Sequence, residues 1–378
     1  MLRKFIHWAV SYPKRVVAIT VFMVILAVVQ FPRIRVDTDP ENMLPADAPV
    51  RVFDHAMKKE FTIYDFIVLG IVNDKDPGGV FNPKTLGKVF RITEDIMGLK
   101  GVIASEIIAP STKDNIEQGD LGSVRFNWLM EAPPRTQEEA VRILREAEDH
   151  PMFRGSVVSE DGRALALYVP LEHKILSFEV SQKIQQIITK YAGDEKFFIT
   201  GLPVAEDQFG VEMFKQMAIS APLAGLVIFF LMWWFFRSVL LITAPMLLAV
   251  ATVLITMGLL IGLGFPVHIM SSMIPIFLMP IAVLDSVHIL SEFFDKYRLY
   301  GNKEKAVVAI FEELFTPMLY TSLTSIAGFF SLSFAPIPPV QVFGIFVALG
   351  VAIAWVVPWT FIPAFFMLLY EEQLKDFG

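Results

Sequence analysis

Residues 280–288 read Pro-Ile-Ala-Val-Leu-Asp-Ser-Val-His and lie late in a long apolar run. Asp285 is the only Asp, Glu, Lys or Arg between Arg237 and Glu292. A charged side chain at the bilayer centre costs about 2.5–3.5 kcal/mol on insertion scales, so it is expected to face a bundle interior and to mark an ion pathway. The stretch therefore predicts a membrane helix with a functional carboxylate. The alternative is that Asp285 only caps the helix or lies at the headgroup boundary.

Two further residues extend this predicted site along the helix. His288 follows Asp285 by three residues, about 60° around a helix, so the two can share a face. A carboxylate beside an imidazole is the pairing that a proton relay needs. Glu292 lies two turns past Asp285 on the same face and is the predicted inner end of the relay. Pro280 removes a backbone hydrogen bond one turn before Asp285, which predicts a hinge, with simple helix packing as an equal alternative.

The composition indicates the protein class. The chain has 378 residues, of which 54% are hydrophobic, with 34 Phe, which is too apolar for a soluble protein. The formal net charge of -7 is dispersed, and no basic tract suggests a nucleic-acid partner. Because the chain contains no cysteine, disulfides, thiol catalysis and thiolate metal sites are excluded. The sequence therefore predicts a polytopic membrane protein.

Residues 1–32 are predicted to form the first transmembrane helix. Basic residues at positions 3, 4, 14 and 15 precede the uncharged stretch 16–31, and no small-x-small cleavage site follows it. We therefore expect an uncleaved helix rather than a signal peptide. Its basic flank stays in the cytoplasm, which places the next segment outside.

Residues 33–214 have the composition of a globular domain and are predicted to form an extracytoplasmic α+β domain with a mixed sheet. Phe66–Val72 indicates a buried strand, and Val102–Ile108 a second one. Asn82 and Thr136 are predicted helix caps, the latter with a capping-box pattern. We find no nucleotide-binding, P-loop, zinc-protease or nucleophile-elbow motif, so no enzyme, cofactor or metal site is predicted.

Residues 215–370 are predicted to form five more helices, and residues 371–378 a cytoplasmic tail. The apolar runs divide into helices at 215–236, 239–262, 267–294, 307–333 and 340–369. Five basic residues fall in the loops that this count places inside, at positions 237, 296, 298, 303 and 305. The predicted topology is a multi-pass cell (inner) membrane protein with both termini inside and one large domain outside.

A hydroxyl-rich stretch marks the fifth helix. Thr321, Thr324 and Ser325 lie at i, i+3 and i+4 and form a polar stripe suited to face Asp285. The alternative is packing through small hydroxylated residues.

These residues carry a resemblance to a known family. The large domain between the first two helices, Asp285 with His288, and the pattern in the fifth helix resemble one half of a resistance-nodulation-division (RND) transporter. The chain is most similar to the MMPL, hopanoid-transporter and Patched-like branch. Further stretches that carry the resemblance are Asp37-Thr38-Asp39-Pro40-Glu41-Asn42-Met43-Leu44-Pro45, Gly201-Leu202-Pro203-Val204, and Pro317 with Gly328-Phe329.

The resemblance implies a porter-type domain, a bundle arranged as in a sterol-sensing domain, and transport or efflux of lipids or other hydrophobic compounds driven by a proton gradient without a cofactor. Two features depart from the family pattern. Ser286 stands where a Tyr commonly follows the Asp, and the chain has one unit where two tandem copies are usual. It is therefore expected to be a half-transporter that works as a homo-oligomer (dimer or trimer) or with a second RND half, and with a periplasmic partner. A truncated N-terminal half is the alternative.

Other classes of function remain open. A lipid or sterol sensor would bind lipid without transport, and an auxiliary subunit similar to the split SecD and SecF halves would serve polypeptide export. A membrane enzyme with Asp285, His288 and Glu292 as metal ligands is disfavoured, because the three would span about 10 Å along the helix.

Overall fold

The computed structural model describes residues 8–118 and 124–370. The chain divides into two compact units, a membrane unit formed by Met1–Arg51 with Gly210–Gly378 and a second unit formed by Val52–Phe209. The predicted boundaries, after residues 32 and 214, lie 19 residues before and five residues after the corresponding divisions at Arg51 and Phe209. The predicted tail 371–378 lies outside the described residues.

Long helices dominate the described residues. Those of at least 12 residues are α1 Pro13–Val28, α2 Pro49–Glu60, α3 Pro83–Met97, α4 Gln137–Asp149, α5 Ser177–Lys190, α6 Leu202–Phe236, α7 Val239–Gly262, α8 Ile274–Tyr300, α9 Lys303–Ser331 and α10 Pro338–Leu368. The strands are β1 Val36–Asp37, β2 Phe66–Val72, β3 Asp114–Gln118, β4 Val124–Trp128, β5 Ala164–Pro170, β6 Lys196–Thr200 and β7 Val267–His268.

The six predicted membrane helices are present among the described residues. α1 together with the turns that continue it to Arg33, and α6 to α10, are long and apolar enough to cross a membrane. α8 begins at Ile274 and not at residue 267, because Val267 and His268 form β7, which pairs in parallel with β1. This pairing ties the segment before α8 to the segment after α1.

Glycines allow the membrane helices to approach closely. A Cβ at Gly258 of α7 would lie 2.5 Å from the Cβ of Ala27 in α1. A Cβ at Gly344 of α10 would lie 2.6 Å from the carbonyl oxygen of Phe329 in α9. Small residues at such crossings bring helix backbones together, which is how membrane helices gain packing contacts without a hydrophobic driving force.

The second unit is an α+β structure built on an antiparallel sheet of order β5-β2-β6. Alternate residues of β2, Ile67, Leu69 and Ile71, are buried in one hydrophobic core with residues of α3, α4 and α5. The strands therefore follow the period of two that a half-buried sheet requires. The described sheet is antiparallel and not mixed.

Local signals placed several of these elements correctly. The Asn82 side chain accepts a hydrogen bond from the Thr85 amide at 2.8 Å and begins α3, and Thr136 caps α4 in the same way. The predicted strand at Val102–Ile108 was wrong, because this segment contains a 3-10 helix, Ala104–Glu106, with single bridges on either side of it.

Candidate functional site

Asp285 lies near the middle of α8. It follows Ile274 by about 16 Å and precedes Tyr300 by about 22 Å at 1.5 Å per residue. The predicted helix start at residue 267 would instead put Asp285 about 27 Å into the helix, in its inner half. The side chain is buried, with 7% of the residue exposed. A carboxylate is thus buried within the bundle, well away from either end of its helix.

Asp285 faces α9. The two helices are joined by Gly301, which is left-handed at φ 59°, and by Asn302, whose side chain caps α9. This tight turn makes α8 and α9 antiparallel neighbours. The hydroxyl of Ser322 in α9 lies 3.4 Å from Oδ2 of Asp285 and donates to it. We call the line of contact between the two helices the α8–α9 seam.

The predicted polar stripe does not contact Asp285. Thr321 and Thr324 are exposed and Ser325 is half-buried. Their hydroxyls donate to carbonyl oxygens of their own helix, those of Pro317 and Thr321. Ser322 is rotated by about 100° from Thr321, and that rotation turns it into the seam. Sequence reasoning missed Ser322, because the regular i, i+3, i+4 spacing of Thr321, Thr324 and Ser325 pointed to those three residues as the set that faces Asp285.

His288 and Ser286 do not join Asp285 in the seam. His288 is exposed on the surface of the membrane unit, because the about 60° between the two positions separates a buried from an open face of α8. Ser286 is buried, and its hydroxyl donates to the carbonyl oxygen of Ala282 at 3.0 Å. Neither side chain is a partner of Asp285 within this chain, and the predicted relay role of His288 stays a prediction.

Glu292 is engaged by a lysine. The Lys296 ammonium lies 3.2 Å from Glu292 of the same helix and 2.5 Å from Glu313 of α9. Glu292 and Asp285 are about 10 Å apart along the helix, so with His288 turned outward the three do not converge on one ion. Pro280 lies inside α8 on an exposed face and leaves the carbonyl of Ile276 without its helical donor.

Residues 129–375 match the model of the MMPL family. The chain belongs to the MMPL family. The matched range holds Asp285, Ser322 and Lys296. The protein is therefore a multi-pass membrane protein of a family whose members are transporters rather than enzymes.

A relative extends the comparison to the rest of the chain. The Methanocaldococcus jannaschii protein MJ1562, named only as a membrane protein, is 22% identical over 384 residues. The alignment covers 99% of this MMPL chain and 94% of the relative. It thus includes the segment after α1, which precedes the family match.

That segment forms a polar cluster at the other end of α8 in this MMPL protein. The Asp37 carboxylate accepts from the Asn42 amide at 2.8 Å and from the Asp39 backbone N–H at 3.1 Å. His268 of β7 places Nδ1 3.6 Å from the same carboxylate, and Arg51 donates to Asn42 at 2.7 Å. Residues 37–45, which carried part of the family resemblance, therefore contact the segment that precedes α8, the helix with Asp285.

Proposed function

We propose that this protein is a proton-coupled secondary transporter that moves lipids or other amphipathic compounds from the membrane. The observation that carries the proposal is the buried Asp285 carboxylate, which within the described residues accepts a single long hydrogen bond from a neutral hydroxyl. A charge in such a site is poorly compensated, and a proton removes it.

Protonation of Asp285 changes which hydrogen bonds can form at the α8–α9 seam. The ionised carboxylate only accepts hydrogen bonds, so Ser322 must donate to it. The protonated group gains a donor, which lets Ser322 accept and lets the carboxyl turn to another carbonyl. The proton therefore selects between two hydrogen-bond arrangements of α8 and α9, and a substrate that prefers one arrangement is coupled to the proton.

The substrate class is supported by the membrane unit's surface. α1, α7 and α10 enclose a groove of about 390 Å³. Its lining is almost entirely apolar, and its two threonines, Thr20 and Thr360, donate their hydroxyls to carbonyls of their own helices. Because both threonine hydroxyls are already hydrogen-bonded, the groove suits an acyl chain or a similar apolar segment.

The proposed assembly is supported by a different surface, that of α8. The described residues include six membrane helices, and His288 is exposed close to the buried Asp285. In a two-fold assembly a residue of one copy meets the same surface of the other, so His288 would complete the relay between copies. A homo-oligomer or a pairing with a second RND half is the proposed working form, in the cell membrane with the second unit outside.

The test is transport in proteoliposomes with an imposed pH gradient and a fluorescently labelled phospholipid as the probe. Asp285→Asn should fold and insert but lose gradient-driven movement of the probe. Asp295→Asn is the matched control, since Asp295 is an exposed residue of the same helix. Full gradient-driven transport by Asp285→Asn would refute the coupling.

A second candidate is a lipid sensor that binds lipid without moving it. It is favoured by the position of the groove, which is lined by α1, α7 and α10 and by no residue of α8. Saturable binding of the labelled phospholipid that is identical with and without a pH gradient, together with no transport by the wild type, would select this function.

A further inference from the structure

Lys296 joins carboxylates of two different helices. Its ammonium lies 3.2 Å from Oε1 of Glu292 on α8 and 2.5 Å from Oε2 of Glu313 on α9. The Lys296 and Glu292 side chains are only 21% and 27% exposed, whereas that of Glu313 is 56% exposed. Hydrogen bonds between ionised groups are stronger than neutral ones, and more so when partly withdrawn from water. The cluster therefore fastens α8 to α9 at the end of the seam nearest their connecting turn.

The charged cluster lies on the same face of α8 as Asp285. Asp285, Ile289, Glu292 and Lys296 follow one another at spacings of four, three and four residues, which places them on one face of α8. Lys296 is about 16 Å from Asp285 along the helix. The same face thus carries the enclosed carboxylate, an apolar residue and the charged cluster.

The antiparallel register supplies the matching residues of α9. Because Asp285 contacts Ser322, one turn further along α8 brings Ile289 level with Met318. Ile289 and Met318 are 2% and 5% exposed and belong to the same hydrophobic cluster. Between Asp285 and the charged cluster the seam is therefore closed by an apolar layer.

We propose that Lys296 is a positioning residue that seals the seam below Asp285 against water from the predicted cytoplasmic side. The proposal rests on the proposed proton coupling, because only there does a closed path to Asp285 matter. Without the ammonium, Glu292 and Glu313 would face each other across the seam as like charges, which repel and attract water. The helix ends would then part and expose the Ile289–Met318 layer.

The natural absence of cysteine makes the seal directly measurable. Ile289→Cys places a single thiol in the apolar layer, and a charged, water-soluble methanethiosulfonate reagent reports whether water reaches it. In the full chain in mild detergent, Lys296→Gln should raise the modification rate about threefold to fivefold, the effect of losing a partly exposed ion pair. Met318→Cys reports the same layer from α9 and keeps the test decisive if Ile289→Cys does not fold.

Controls separate a local seal from general loosening. Val347→Cys reports a fully buried position of α10, and its rate should not change in the Lys296→Gln background. Lys305→Gln removes an exposed lysine of α9 and should leave the rate at Ile289→Cys unaltered. Lys296→Arg, and Lys296→Glu combined with Glu313→Lys, restore a bridge and should restore the slow rate.

An unchanged rate in Lys296→Gln, or an equal rise at Val347→Cys, overturns the proposal. Failure of the charge-reversed pair to slow the reaction does so too. The measurement needs no substrate and no gradient, so it gives its answer whether or not Asp285→Asn abolishes transport. The seal and the proposed function can therefore fail separately.

Discussion

The crossing of α1 and α7 permits a quantitative prediction for Gly258→Ala. The added methyl would lie 2.5 Å from the Cβ of Ala27 and 2.6 Å from both its Cα and its carbonyl oxygen. Two of these three atoms belong to the backbone, so no rotamer change relieves the overlap. Ordinary contact begins at 3.4 Å, so α1 must move away by about 0.9 Å.

The magnitude follows from two opposing effects. Alanine is favoured over glycine in a helix by about 0.8–1 kcal/mol. Overpacking a closely packed contact costs about 1–3 kcal/mol. Gly328→Ala in α9 is the matched control, because a methyl at Gly328 would meet no heavy atom within 4 Å and brings only the helix preference. Gly258→Ala should therefore be less stable than Gly328→Ala by about 1–3 kcal/mol.

Thermal unfolding of the full chain in mild detergent measures this difference. Gly258→Ala should melt at a lower temperature than Gly328→Ala. Adding Ala27→Gly should rescue it only in part, since that change removes the Cβ but leaves the Cα and the carbonyl oxygen in place. A melting temperature for Gly258→Ala at or above that of Gly328→Ala would show that the crossing is loose, and full rescue would show that backbone contact is unimportant there.

Two further predictions address the seam and the second unit. Ser322→Ala should slow gradient-driven transport while Thr321→Ala leaves it unaltered, because only Ser322 contacts Asp285; equal effects of the two would contradict the seam geometry. In the second unit, burial raises the pKa of the Glu195 carboxyl, but the hydrogen bond from Lys88 at 2.6 Å and other bonds outweigh it and hold that pKa below its ordinary value of 4.5. Because the pKa of Glu195 is lower in the folded than in the unfolded protein, the ionised carboxylate stabilises the folded state above pH 4.5, and this stabilisation is lost as the pH falls below that value. The difference in melting temperature between wild type and Glu195→Gln should therefore shrink at low pH. A gap that does not depend on pH would refute this.

The helices and strands that could be predicted from the sequence are those whose type and bounds are determined by residues close together in the sequence. The bounds of β2 follow from a continuous apolar run, and α3 begins where Asn82 caps it. Both signals act within a few residues, so no tertiary information is needed. The six membrane helices follow for the same reason, because hydrocarbon imposes one length and one composition on each of them.

The sequence-based predictions were wrong where the local structure is determined by contacts with residues far away in the sequence. Val267 and His268 are apolar enough in context to continue a membrane helix, but β1, more than 200 positions earlier, pairs with them and delays α8 to Ile274. That shift moved the position of Asp285 along the helix. The rotation of α9 is likewise set by packing, and a pattern of hydroxyls cannot show that Ser322, rather than Thr321, turns inward.

Asp285 and Glu292 of α8 have different partners, and in the proposed proton-coupled mechanism they would therefore take different parts. Glu292 is held by an ammonium that also holds Glu313, so a proton on Glu292 would have to displace an existing ion pair. Asp285 has a neutral hydroxyl at 3.4 Å, so its charge is the one that the seam compensates least. The segment before α8 is held by the Asp37 cluster through His268, and the C-terminal end of α8 is held by Lys296. The segment around Pro280 and Asp285 lies between these contacts and is the part of the helix that can change conformation on protonation. In the proposed mechanism we therefore expect protonation at Asp285, with Glu292 holding Lys296 beside Glu313.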